Sequence, residues 1–257
     1  MKRMILTGIL ALATGLTGLM ALPQAQPAKG PTVKSKGEGE AVNALFTAAQ
    51  AGNADATIKA ADDLVTKFSD TEFKEIALQL EATTYQQKGD PDHATIYGER
   101  VLEINPKNFQ ITLMLGEILA QRTRENDLDK EDKLSRADKY LNATLENLKT
   151  ATKPNPQLSD QQWEDGKKYI VAETHNGLGL VALVRKKYDL AITEFKTAVD
   201  NDPQPAYSVR LASAYQSAGK NEEAIAICDK LLADPQLHPQ IKQVAQSIKT
   251  AASQAKK

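Results

Sequence analysis

One line of sequence is written three times along this chain, and that repetition limits its fold more than any other feature. "PDHATIYGERVLEINP" runs from Pro91 to Pro106, "YDLAITEFKTAVDNDP" from Tyr188 to Pro203, and "NEEAIAICDKLLADP" from Asn221 to Pro235. Aligned on Ala94, Ala191 and Ala224, the flanks agree as well. A proline follows twelve, twelve and eleven residues later, at Pro106, Pro203 and Pro235. Nine residues before the alanines stand Tyr85, Ala182 and Tyr215, and five before stand Gly89, Lys186 and Gly219. Further back lie pairs that end in a small residue: Glu81-Ala82, Leu178-Gly179 and Leu211-Ala212.

Two helices that cross closely explain this pattern. At the crossing, any side chain larger than alanine would force them apart, so small residues face small residues. The glycine between them supplies the positive φ that ends the first helix, and the closing Asp-Pro or Asn-Pro breaks the second. Composition agrees with an all-helical chain, because only 5% of residues are aromatic while Ala and Leu abound, which disfavours a β-sandwich.

A unit near 34 residues with Leu-Gly, Tyr, Gly, Ala, an aromatic, a small residue and Pro at these places resembles the tetratricopeptide repeat (TPR). The match is most specific over 172–204, where Leu178, Gly179, Tyr188, Ala191, Phe195, Ala198 and Pro203 fall in place, and good over 205–235. Over 75–106, Gly98 replaces the aromatic. A degenerate first hairpin, "AVNALFTAAQAGNADATIKAADDLVTKF", keeps the turn at Gly52-Asn53 but has Thr57 in the alanine slot. A third hairpin carries Leu115-Gly116 and Ala137 around a charged insertion of about nine residues, "TRENDLDKED". After Pro154 and Pro156, one unusually long helix is expected, and the amphipathic tail from His238 onward reads as a cap on the last hairpin. The resemblance implies an all-α fold, a right-handed α-solenoid of about five TPR-like hairpins. The expected array spans residues 39–236, with a capping helix and tail over 237–257, in one continuous solenoid rather than several domains.

The N-terminus reads differently. Lys2 and Arg3 precede an apolar run from Met4 to Leu22 and a Pro/Gln/Ala tail, the layout of a secretory signal over residues 1–25 with cleavage after Ala25 or Ala28. Residues 26–38 then read as a flexible linker. Export to a periplasmic or secreted location is the expectation. If residues 4–22 are not cleaved, the alternative is an inner-membrane anchor and an envelope-assembly or chaperone-associated protein. Removing Lys2 and Arg3 leaves 30 basic residues against 33 acidic, a surface poorly suited to nucleic acid.

Nothing in the sequence assembles a reaction centre. His93, His175 and His238 are far apart, with no metal-binding spacing, so no metal and no cofactor are expected. Cys228 occupies the slot of a core aromatic and reads as a small buried hydrophobe rather than a nucleophile. Glu173 and His175, two apart on a helix, face different directions. Arg185, Lys186 and Lys187 sit at a helix end, where cations meet the negative end of the dipole. No enzyme activity is expected.

What the resemblance does imply is a concave face, lined by the first helix of each hairpin, that holds a protein or peptide. The positions projected onto it are Gln79, Thr83, Gln86, Gln87, Glu117, Gln121, Asn176, Arg210, Ser213, Gln216 and Ser217. They are mostly neutral amides and hydroxyls, with Asn176 and Arg210 the two residues that suit a carboxylate clamp. Chaperone C-termini, which need several cations, are a disfavoured ligand.

Overall fold

The computed structural model describes residues 30–155 and 157–255. The signal segment read over residues 1–25 lies outside them. Among the described residues there are eleven α-helices and no strand, and none of the helices is long and apolar enough to cross a membrane. They fall into two compact units, one of residues up to Ile111 with Thr152–Ser159, the other of Thr112–Ala151 with Asp160–Lys257. The continuous array expected from the sequence is thus divided inside its third hairpin and at the segment carrying Pro154, a residue that cannot continue a helix.

The first unit holds α1 (Lys36–Gln50), α2 (Ala54–Lys67), α3 (Lys74–Gln87) and α4 (Pro91–Ile104) as two antiparallel hairpins. Asn53 caps α2 by accepting from Ala56 N, and Asp90 caps α4 by accepting from His93 N, with Pro91 in the first turn. Proline is at home there, since that N–H lacks an intrahelical partner anyway. Between the helices, Gly52 and Gly89 take positive φ, 65° and 73°. Val42, Leu45, Ala61, Leu64, Phe73, Ala77 and Leu80 form the core. Thr57, in an alanine slot, is buried with its hydroxyl donating to Asn53 O at 2.8 Å, which removes the cost of an unpaired polar group.

The linker reading fails at its C-terminal end. Helix α1 begins at Lys36, capped by Ser35, inside the segment expected to be flexible. The cause is Glu38, buried at 2% exposure, whose carboxylate accepts from Lys34 N at 2.6 Å and from Thr71 Oγ1 at 2.7 Å. A carboxylate buried with two such donors fixes the backbone before it. Thr32 is fastened as well, donating through N and Oγ1 to Glu72.

The second unit contains α5 (Phe109–Arg122, from Thr112 onward), α6 (Lys130–Thr150), α7 (Asp160–Val184), α8 (Tyr188–Asn201), α9 (Pro205–Ser217), α10 (Asn221–Leu232) and α11 (Pro239–Gln254). The long helix expected after the prolines is α7. Ala137, Ala191 and Ala224 are each 0% exposed, as crossing positions require. A Cβ on Gly179 would lie 2.6 Å from the buried Phe195 ring, and one on Gly116 the same distance from Leu141. Gly219 turns with φ 75°, but the equivalent Lys186 takes φ 60° without glycine's freedom. Ala245, Ile248 and Ala252 of α11 join the core of the last two hairpins, so that helix covers the apolar face of α9 and α10.

Candidate functional site

In a helical hairpin array the side chains available to a ligand are those of the first helices that the core does not consume, here on α3, α5, α7 and α9. In the first unit this face is already knitted together. Gln79 donates to Gln110 Oε1 at 2.8 Å and accepts from Asn108 Nδ2 at 2.9 Å, while Glu75 accepts from Asn105 and Asn108 at 2.8 and 3.0 Å. The Thr83 hydroxyl turns back on its own helix, donating to Gln79 O and Leu80 O. Gln86 and Gln87 stand exposed at the end of α3.

The corresponding face of the second unit carries ionisable groups. Residues three apart on a helix share a face, so Glu173 and Asn176 of α7 point the same way, as do Tyr207 and Arg210 of α9. Each pair is displaced from the other by one repeat. The Arg210 guanidinium donates to Asn176 Oδ1, linking the two helices. Burial raises the carboxyl of Glu117 on α5 far above the ordinary glutamate range, and a hydrogen bond and repulsion from Glu173 raise it further, against the pull of Arg210. Tyr169 and Tyr207 flank Glu173, and burial followed by that carboxylate pushes both phenols well above their usual range. Tyr207 is 2% exposed, and its Oη has no partner in hydrogen-bonding geometry although Glu173 is its principal polar neighbour. Tyr169 is 42% exposed at the edge of the cluster.

The projected positions therefore divide. Glu117 and Arg210 meet in the cluster; Asn176, expected on an open face, is buried at 1% exposure and serves as Arg210's acceptor. Ser213 and Gln216 are partly exposed, and Gln121 and Ser217 exposed. Sequence reasoning passed over Tyr169 and Tyr207 and weighed Glu173 only against His175, although the spacing between Glu173 and Tyr207 matches that between Asn176 and Arg210.

The other candidates have structural duties. His93 pairs with Asp90 at 2.7 Å and stacks on Tyr85, His175 meets Glu194 at 2.6 Å on the face turned away from Glu173, and His238 caps α11. Cys228 is fully buried, and that burial raises its thiol pKa. Arg185 binds Glu131, Asp138 and Ser135 of α6, and Lys186 pairs with Glu125 of the charged insertion. Among the described residues no group of three or more His, Cys, Asp or Glu is placed to hold a metal.

A single buried ionisable group in the first unit has no such duty. Glu81 of α3 is 0% exposed, and neither carboxyl oxygen has a hydrogen-bond partner. Burial, then the nearby Asp62 charge, lift its pKa to about 8, against smaller opposing effects of Tyr97 and Arg100. It stands in the slot that Leu178 and Leu211 fill in the later repeats.

Family models for the tetratricopeptide repeat match residues 77–108 and 172–239. These two segments are tetratricopeptide repeats. Among solved structures, MamA of MSR-1 superposes with a TM-score of 0.51 at 17% identity, covering 84% of this TPR chain and 98% of MamA, a likeness that shows the all-α solenoid fold. A thermophilic TPR protein of Thermus thermophilus is 22% identical over 82% of this chain and 98% of its own, with a TM-score of 0.48. A tetratricopeptide repeat protein from Parabacteroides merdae gives 17% identity, 86% and 91% coverage and a TM-score of 0.45. No curated protein matches the TPR chain significantly.

Proposed function

We propose that this TPR protein is a non-catalytic scaffold that holds a protein partner on the exposed side of its first helices, in the cell envelope. Tetratricopeptide repeats serve protein interaction, and the observation that carries the reading here is the cluster of Glu117, Glu173, Tyr169 and Arg210. These polar groups line successive first helices, α5, α7 and α9. Affinity would come from many modest contacts on a face held rigid by the stacked hairpins, so little ordering entropy is spent on binding. The envelope location rests on the basic start and apolar run of residues 1–25.

Site-specific photocrosslinking in cells tests the binding face. A photoreactive residue at Gln216 should capture a discrete protein, and one at Glu223 on α10 should not. Capture from both positions alike would refute the assignment of the face. Cell fractionation with N-terminal sequencing of the mature chain tests the location: a start after Ala25 or Ala28 in the envelope fraction is expected, and an intact Met1 in the cytosol would overturn it.

A further inference from the structure

The charged insertion between α5 and α6 departs from the repeat, yet it is held in one shape. Asp127 Oδ2 accepts from Arg124 N at 3.1 Å, Lys133 spans Asp127 and Asp129 at 3.4 and 2.8 Å, and Arg124 Nη1 donates to Gln121 O at 2.9 Å. From the α7–α8 turn, Arg185 reaches Glu131 at 3.0 Å and Lys186 pairs with Glu125. Lys186 is also the residue with a left-handed φ of 60°, where the other hairpin turns use Gly52, Gly89 and Gly219. Backbone strain is thus accepted at the turn residue whose side chain fastens the insertion. What the fastened loop presents is Leu128, whose side chain is fully exposed to water. An apolar tip on an ordered loop loses little conformational entropy when it docks.

Beside the loop lies a cavity of about 440 Å³, lined by Lys186, Lys187, Tyr188, Leu190, Ala218 and Lys220, with Asp189. Tyr188, Ala218 and the half-exposed Leu190 give it apolar surface, and the three lysines rim it. Lys220 is paired with Asp189 at 2.7 Å and Lys186 with Glu125, whereas Lys187 has no ion pair among the described residues. The cavity is therefore positive. The insertion is negative, with five carboxylates against two cations over residues 123–132.

We propose that two copies of this chain associate by exchanging these features, the Leu128 of each copy entering the lysine-rimmed cavity of the other. The two halves of the contact match in chemistry: an exposed leucine meets Tyr188 and Leu190, and the carboxylates around it meet lysines. They also adjoin on one surface, because Lys186 lines the cavity and holds Glu125 of the loop. A two-fold axis beside Lys186 lets each copy give and receive at once, so the assembly closes at two chains instead of growing into a filament. Complementary charge steers the encounter and selects the register, and burial of Leu128 supplies the apolar gain. The contact joins hairpin turns, not the exposed sides of the first helices, and so stands apart from the scaffold reading. Two such small patches lie at the low end of interface sizes, which sets the expected dissociation constant at about 1–100 μM.

The test is sedimentation equilibrium of the full mature chain over a concentration range that brackets this constant, with unfolding curves recorded for every variant. The parent should pass from monomer to dimer and no further, and added salt should weaken the dimer. Leu128→Ser, at a side chain that touches nothing in the monomer, should weaken association about tenfold or more without moving the unfolding midpoint. Lys187→Glu should do the same from the cavity side. A mixture of the Leu128→Ser and Lys187→Glu chains retains one intact leucine–cavity contact, and should dimerise more tightly than either variant alone. Lys186→Gly should weaken association while leaving the fold as stable or more so, a combination that damage to the fold would not produce. A parent that stays monomeric throughout, a dimer indifferent to Leu128→Ser or to Lys187→Glu, or a mixture no tighter than its components would overturn the proposal. The crosslinking experiment at Gln216 judges the scaffold reading separately.

Discussion

Replacing Glu81 with leucine should stabilise the protein, and the gain should grow with pH. In the folded state Glu81 is buried without a partner and titrates near pH 8, against 4.5 for the free side chain. The folded state therefore holds a proton that the unfolded chain gives up between these values. When the native state binds more protons, stability falls as pH rises, here by about 1.4 kcal/mol per pH unit from one titrating group. The loss begins near pH 4.5, reaches about 3 kcal/mol by pH 7 as an upper figure, and levels off above pH 8. The desolvation of the unpaired neutral carboxyl adds about 1 kcal/mol at every pH. Leucine avoids both costs and matches Leu178 and Leu211 in the equivalent slots. The assay is urea unfolding followed by far-ultraviolet circular dichroism at pH 5, 6, 7, 8 and 9 for the parent, Glu81→Leu and Glu81→Gln. Subtracting the curves isolates Glu81, since every other group titrates alike in all three. Both variants should gain on the parent with the same slope up to pH 8, and the leucine variant should also be the more stable at pH 5. A difference that does not change between pH 5 and pH 9 would refute the claim that Glu81 is protonated in the fold.

Three further substitutions or probes address the packing. Gly179→Ala places a Cβ 2.6 Å from the Phe195 ring and should cost about 1–3 kcal/mol by thermal or urea unfolding; Phe195→Leu in the same chain should recover part of the loss. Lys186→Gly relieves a left-handed residue at φ 60° and should stabilise by about 0.5–1 kcal/mol, because the exposed pair it gives up with Glu125 is worth little. Cys228, 0% exposed with its thiol pKa raised, should react with a thiol-specific disulfide reagent only at the rate of unfolding. Prompt stoichiometric reaction in the native protein would contradict its burial.

The repeat was legible because close crossing tolerates only small side chains. Ala94, Ala137, Ala191 and Ala224 were picked out from spacing alone, and all four are 0% exposed. Positive φ at Gly89 and Gly219, the long helix α7 and the cap α11 were equally legible, since turn chemistry and apolar period act over a few residues. Glu81 was visible as one member of an aligned pair, but nothing in its neighbours announces a carboxyl buried without a partner. Its state depends on Asp62, Tyr97 and Arg100, which arrive from α2 and α4.

The same limit applies to the candidate site and to Ser35–Glu38. Helical spacing places Glu173 and Asn176 on one face, yet only stacking of α5, α7 and α9 brings Glu117 against Glu173 and buries Tyr207 beside them. Likewise Glu38 becomes a helix anchor only when Thr71, 33 residues away, closes on it. The helices, their turns and the hairpin units follow from local sterics and backbone hydrogen bonding, and so can be read residue by residue. Which charges lose their water, and which partners replace it, depends on neighbours that only packing brings together.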